Sequence, residues 1–186
     1  MKEIIPNVDP HTKPSFTVQN RLSRIGWNIV YYALFRYSPR PFHAWRVFIL
    51  RVFGAKIGRD CHIYPKVKIW APWHLEVGDE SSIADDANCY SMDTILIGHR
   101  AVISQGAHLC TGSHDYESHN FQLYAKPITI RDYAWLCADC FISPGVTIYE
   151  GAVIGARAVV THDMPAWMVC AGNPCKPIKQ RLVKKK

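Results

Sequence analysis

Between Ile57 and Val160 an aliphatic side chain returns every six residues. The leading positions are Ile57, Ile63, Ile69, Val77, Ile83, Cys89, Ile97, Ile103, Leu109, Ile130, Leu136, Ile142, Ile148, Ile154 and Val160. Fourteen of the fifteen are aliphatic, and Cys89 is the exception. Four residues after each leader, twelve of the fifteen positions hold Ser, Ala, Cys or Val; Trp73, Asp93 and Met164 depart from that rule. A helix repeats about every 3.6 residues and a half-buried strand every 2, so a beat of six is neither. It fits short flat strands joined at tight corners, three to a coil, each side sending one large and one small side chain inward. The pattern therefore predicts an all-β domain, a parallel β-helix over residues 57–165. Gly58, Gly78, Gly98 and Gly155, each directly after a leader, suit the corners.

The beat is padded twice and broken once. Leaders jump by eight from Ile69 to Val77 and from Cys89 to Ile97, so coils begin at 57, 77 and 97. The next begins at Ile130, which leaves about thirteen extra residues near positions 115–127. That excursion starts at a histidine, in Leu109-Cys-Thr-Gly-Ser-His114-Asp-Tyr116. A regular framework with one histidine-led loop reads as a scaffold carrying a single site.

Upstream, Pro6, Pro10 and Pro14 predict an extended arm over residues 1–15. The spacing of Leu22, Ile25, Ile29 and Tyr32 predicts an amphipathic helix over 17–37, which Ser38-Pro39-Arg40-Pro41 interrupts. A second helix is expected from Phe42 to Phe53, ended by Gly54. Together they form an N-terminal segment, 1–56, dense in aromatic residues. Such helices either cover the open end of the following domain or meet a membrane surface or lipid substrate, and the sequence leaves both open. Residues 166–186 form a basic C-terminal extension.

The chain has 186 residues, 48% apolar and 20% charged, enough for one sizeable core. Its start shows no secretory signal, and the longest uncharged run there, Ile25 to Phe35, falls short of the roughly 20 residues that span a bilayer. A cytoplasmic protein is expected, in one version at the inner face of the membrane. Most of the seven cysteines fall on inward slots and read as buried thiols; Cys137-x2-Cys140 with Cys170 and Cys175 makes a weak zinc candidate. The net charge of +7 is uneven: nine basic against two acidic residues in 1–56, seven against thirteen in 57–175, and six basic residues beyond. That layout argues against a continuous nucleic-acid groove and favours local anion sites at both ends.

Several stretches together resemble the hexapeptide-repeat acyltransferases. They are Leu109-Cys-Thr-Gly-Ser-His114-Asp, Asp132-Tyr-Ala-Trp135-Leu, Ser143-Pro-Gly145-Val-Thr-Ile148, Gly155-Ala-Arg-Ala-Val-Val-Thr161 and Ala171-Gly-Asn-Pro174-Cys-Lys176-Pro-Ile178. Trp45-Arg-Val-Phe-Ile-Leu-Arg-Val-Phe-Gly-Ala-Lys-Ile-Gly58 is similar to the polysaccharide branch. The resemblance is nearest to the colanic-acid biosynthesis acetyltransferases, then to the maltose and galactoside O-acetyltransferases. It implies a left-handed β-helix, a homotrimer with acetyl-CoA in the groove between subunits, no metal, and a carbohydrate acceptor that could be lipid-linked. It also implies that His114 is the general base on the acceptor hydroxyl. Cofactor contacts fall, by the same resemblance, on Trp135, Ala138, Gly155, Ala156, Thr161, Pro174, Lys176 and Lys179. Two positions depart from the family: Ala138 stands where Ser is often found, removing a side-chain oxyanion donor, and His162 follows Thr161 where Lys is common.

Moving an acetyl group from a thioester to an alcohol needs a base, oxyanion donors and alignment. An imidazole titrates near neutrality, so His114 suits the first task. With Ala138 lacking a hydroxyl, a backbone N–H near Cys137 to Ala138 is the expected oxyanion donor. Asp93, one coil before Ser113, is expected beneath the histidine, to orient it, to bind the acceptor, or merely to cap a corner. Asp115 competes for the orienting role, and Asn88 and Tyr116 are further acceptor candidates. Trp135 flanks the pantetheine arm or only packs, and Lys176 and Lys179 offer point charges to phosphates. Two other classes stand beside this: transfer to an amino sugar, and a zinc-dependent, carbonic-anhydrase-like β-helix built on His114-x4-His119.

Overall fold

The structure is a computed structural model that describes residues 3–183. Lys184 to Lys186, part of the expected basic extension, lie outside the described residues. Every one of the fifteen leaders sits in a short strand with its side chain buried. The strands stack into three parallel faces. The first runs through Lys56–Ile57, Leu75–Val77, Ile95–Ile97, Ile128–Ile130 and Thr147–Ile148. The second runs through His62–Ile63, Ser82–Ile83, Val102–Ile103, Trp135–Leu136 and Val153–Ile154, and the third through Lys68–Ile69, Asn88–Tyr90, His108–Cys110, Phe141–Ile142 and Val159–Val160. Register keeps leader on leader: Ile63 pairs with Ile83, Ile83 with Ile103, Ile103 with Leu136. A triangular β-helix of five complete coils results, with the core down its axis.

The corners explain which residues the beat tolerates. Gly98 is one of three stacked corner glycines; a Cβ there would fall 2.7 Å from the Asp132 backbone nitrogen of the next coil. On the same edge, side chains cap backbone donors coil by coil. Arg59 N–H donates to Asp79 Oδ1, Asp79 N–H to His99 Nδ1 and His99 N–H to Asp132 Oδ1, at 2.8, 3.0 and 2.8 Å. The small slot fails at Trp73, Asp93 and Ser113, which are only half-buried and lie on the edge where the padding occurs. There a polar ladder replaces it: the buried Ser91 hydroxyl serves Ala71, and the buried Thr111 hydroxyl accepts from Asp93 N–H and donates to the Tyr90 carbonyl. Buried hydroxyls with both roles filled are tolerated in such a core.

The N-terminal segment forms helix α1, Val18–Val30, capped by the Thr17 hydroxyl, then a π-helical turn Tyr31–Phe35, then helix α2, His43–Val52. Trp27, Phe35 and Leu50 are fully buried against the first coil, and Trp27 Nε1 donates to the Ile69 carbonyl at 2.7 Å. The helices thus cover the open end of the β-helix with one face. Arg46 is fully buried as well; it reaches the Ile63 and Pro39 carbonyls and the Ser38 hydroxyl, and so ties the interhelical turn to the second face.

The other end continues rather than stops. Met168–Ala171 pairs with Val153–Ile154 and turns back as Lys176–Gln180, through a cis Asn173–Pro174 bond. The second face thereby gains two strands from residues expected to form only an extension.

Candidate active site

The broken coil is a hairpin. Gly112–His114 pairs antiparallel with Leu123–Ala125, with His114 opposite Leu123. Its turn is held locally: Asp115 N–H donates to the Gln122 carbonyl, and the Ser118 hydroxyl to the Asp115 carbonyl. His114 Nδ1 meets the Phe121 carbonyl oxygen at 3.0 Å. Because a carbonyl only accepts, Nδ1 carries the proton, and Nε2 is left with its lone pair. The Phe121 ring lies parallel to the imidazole at 4.4 Å. Phe121 adopts φ +48°, a left-handed conformation that costs a bulky residue about 1–2 kcal/mol. That backbone twist is what aims its carbonyl back at the histidine.

The carboxylates expected to orient His114 have other partners. Asp93 Oδ1 accepts from Thr94 N–H at 2.6 Å, the corner-cap geometry, and Asp115 Oδ1 accepts from Glu117 N–H at 3.2 Å. The orienting acceptor is a main-chain atom, which no side-chain pattern announces.

The N-terminal arm reaches this hairpin. Val8 N–H donates to Gln122 Oε1 at 2.8 Å, and His11 stacks on Phe121 at 5.8 Å. The arm is pinned further back by Glu3, which accepts from Trp73 Nε1 at 2.9 Å and from Asn20 Nδ2. Arm and hairpin enclose a pocket of about 500 Å³ whose polar lining includes Glu3, Asn7, His74, Asp93, Gln122 and Tyr124. Of the three acceptor candidates only Asp93 lines it. Asn88 lines a separate cleft with Tyr31, Lys68 and Trp70, and Tyr116 is 81% exposed at the hairpin tip. Glu3, His74, Phe121 and Gln122 were not visible in the sequence as parts of this region, because its contacts join positions up to 117 residues apart.

The remaining candidates lie on the second face, at the corner after it and on its C-terminal hairpin, except Thr161, which follows the third-face strand Val159–Val160. Trp135 is 44% exposed, with Nε1 donating to Ser104 Oγ at 3.0 Å. Of the two backbone donors expected for an oxyanion, Cys137 N–H is committed to the Ile154 carbonyl at 2.9 Å. That corrects the expectation for Cys137 and leaves Ala138, whose N–H donates to no acceptor among the described residues. Gly155 and Ala156 form the next corner up, and Thr161 Oγ1 lies 2.9 Å from His162 Nδ1. Pro174, Lys176 and Lys179 are all exposed on the terminal hairpin. One chain therefore carries two separate candidate regions: the hairpin, where His114 pairs opposite the pocket-lining Leu123 without itself lining the pocket, and an exposed strip of small residues, indole and lysines.

The cysteines are free thiols. Burial pushes Cys89 and Cys140 up to about 12 and Cys175 to about 11, so they stay protonated and inert. Among the described residues no three His, Cys, Asp or Glu side chains come together to hold a metal ion. His99 serves as a corner cap, and His108 packs edge-on against Tyr90 and Phe141.

No family model matches the chain. It is 47% identical over 156 residues, 84% of its own length and 86% of the relative's, to a protein of Escherichia coli (strain K12) that carries the name colanic acid biosynthesis acetyltransferase WcaF. It is 30% identical over 138 residues to the galactoside O-acetyltransferase of the same organism, covering 71% and 66% of the two chains. Among solved structures it superposes on a galactoside acetyltransferase in complex with coenzyme A, with a TM-score of 0.82, 25% identity, and 89% and 84% of the chains covered. A maltose O-acetyltransferase from Clostridium difficile 630 gives a TM-score of 0.81 at 25% identity over 88% and 89%.

Proposed function

We propose that this chain, which belongs to the hexapeptide-repeat acetyltransferases, moves acetyl from acetyl-CoA to a sugar hydroxyl of a polysaccharide precursor. The observation that carries the reading is the His114 imidazole, whose Nδ1 is tied to the Phe121 carbonyl so that Nε2 is free to accept a proton. A hydroxyl needs such a base, since its own proton leaves only above neutral pH; an imidazole held in one tautomer is poised for the task. The 47% identical relative is named for colanic acid biosynthesis, and two further relatives are named O-acetyltransferases of galactoside and maltose.

The acceptor pocket is the one between arm and hairpin. Carboxylates at Glu3 and Asp93 and amides at Asn7 and Gln122 suit a polyol, which offers several donors and acceptors at once. The second face fits coenzyme A. Small residues at Ala138, Gly155 and Ala156 leave room along the strand ends, Trp135 offers a flat wall, and Lys176 and Lys179 supply charge for phosphates. Ala138 N–H is the donor aimed at the carbonyl oxygen of the transferred acetyl group. A homotrimer joins the halves, setting the second face of one subunit beside the pocket of its neighbour, and explains why no single chain assembles both.

Thiol release from acetyl-CoA, measured across nucleotide sugars, oligosaccharides and simple amines, tests this. Turnover on sugar hydroxyls and none on amines is expected. Turnover on amines alone moves the activity to N-acetylation, and no thiol release with any acceptor contradicts the reading.

A further inference from the structure

The apolar side chains of the N-terminal helices fall into two sets. One, with Trp27, Phe35 and Leu50, is spent on covering the first coil. The other points away from the protein. Val18, Leu22, Ile25, Ile29 and Tyr32 recur at helical spacing along α1 and into the π-turn, and each is more than half exposed. On α2, Phe48 and Val52 are 58% and 65% exposed, beside Trp45. An open apolar cleft of about 490 Å³, lined by Leu34, Tyr37, Pro39, Phe42 and Trp45, runs from the π-turn that follows α1 to the start of α2. Trp45 fixes that cleft by donating Nε1 to the Leu34 carbonyl at 3.1 Å and stacking on Phe48. A contiguous apolar face of this extent requires a partner.

Charge says which partner. From Pro10 to Arg59 the chain carries nine Lys and Arg and not one Asp or Glu. Arg21 and Arg36 flank the exposed stripe of α1 and pair with no carboxylate among the described residues. A second copy of this face would set arginine against arginine with no acid to answer it. An anionic surface with an apolar interior answers both features, and exposed Tyr32, Tyr37 and Trp45 are the side chains that settle at such a boundary. No helix among the described residues is long and apolar enough to cross a membrane, so the contact is peripheral.

We propose that the outer face of α1 and α2 docks the protein on an anionic lipid surface, with its apolar side chains in the acyl boundary and its arginines at phosphate level. This rests on the acetyl-transfer reading only in its consequence: docking brings a lipid-carried acceptor to the pocket.

The test is co-sedimentation of the full-length protein with vesicles of phosphatidylglycerol and phosphatidylethanolamine, against vesicles of phosphatidylcholine alone. Binding to the anionic vesicles is expected, at least tenfold weaker on neutral vesicles or at high salt. An Ile25→Glu/Phe48→Glu double variant should lose at least tenfold of that binding, yet keep wild-type thiol release with a soluble acceptor and the wild-type sedimentation mass. Three results overturn the proposal: wild-type protein left in the supernatant with anionic vesicles, a double variant that binds as well as wild type, or a double variant of smaller mass, which assigns the face to a contact between copies. Vesicle binding is read without substrate, so its failure is distinct from failure of acetyl transfer.

Discussion

The β-helix and the arm–hairpin assembly on its flank solve the same problem in opposite ways. In the coils each leader rests on the leaders of adjacent coils, and the repeated pairing at about twenty residues makes every contact a copy of its neighbour. At the hairpin nothing repeats. A strained Phe121, a hydrogen bond from Val8 to Gln122 and a glutamate at position 3 hold the site through contacts made once. Repetition yields a rigid support; the single contacts shape the candidate site. The difference predicts that substitutions in the two regions fail in different ways, by stability in the coils and by rate at the hairpin.

The largest effect is expected at His114, the proposed base. His114→Ala should lower thiol release with a sugar acceptor by about 10²–10⁴-fold with an unchanged melting temperature. A loss of fold instead would erase the distinction between the regions. In the coils, Ile103→Ala removes a fully buried side chain stacked between Ile83 and Leu136. It should cost about 2–5 kcal/mol and depress the thermal midpoint, while folded protein retains its turnover. At the boundary between regions, Gln122→Ala unties the arm from the hairpin. The acceptor KM should rise about fivefold, the worth of about 1 kcal/mol, with the KM for acetyl-CoA unmoved. Phe121→Gly relaxes the left-handed backbone but removes the ring under the imidazole. A fall in kcat of about fivefold is expected without loss of stability, so kcat equal to wild type would show that the stack does nothing.

A separate effect, on stability and not on rate, concerns the core thiols. Cys89 and Cys140 are raised by burial from 9.0 to about 12, so in the folded state they hold protons that the unfolded chain releases above pH 9. Their contribution is fully present below pH 9 and lost as pH climbs toward 12. Thermal melts should therefore move to lower temperature from pH 8 to pH 10.5, and a melt that moves upward contradicts the burial of these thiols.

How much of this was legible in the sequence follows the same division. The beat of six gave all fifteen inward leaders and their coil boundaries, because a stacked fold writes its packing locally. His114 was visible because it stands where the beat breaks. Its partner was not: the acceptor is a backbone carbonyl, and Asp93 and Asp115, the natural choices by side-chain chemistry, satisfy nearby N–H groups instead. Glu3 and Gln122 were invisible for a different reason, since an arm that folds back over a distant loop leaves no periodic trace. The helices illustrate a third case. The sequence showed an amphipathic helix and a second helix after it, and only the structure separated the face that covers the first coil from the face left exposed.

A crystal structure of the protein with coenzyme A and a sugar acceptor tests the central claim most directly. The thiol sulfur, arriving along Trp135 and Ala138 of one subunit, is expected to meet the acceptor hydroxyl at His114 Nε2, with Nδ1 still held by the Phe121 carbonyl. A sulfur bound away from every His114, or an imidazole turned from the Phe121 carbonyl to grip a metal ion, would contradict it.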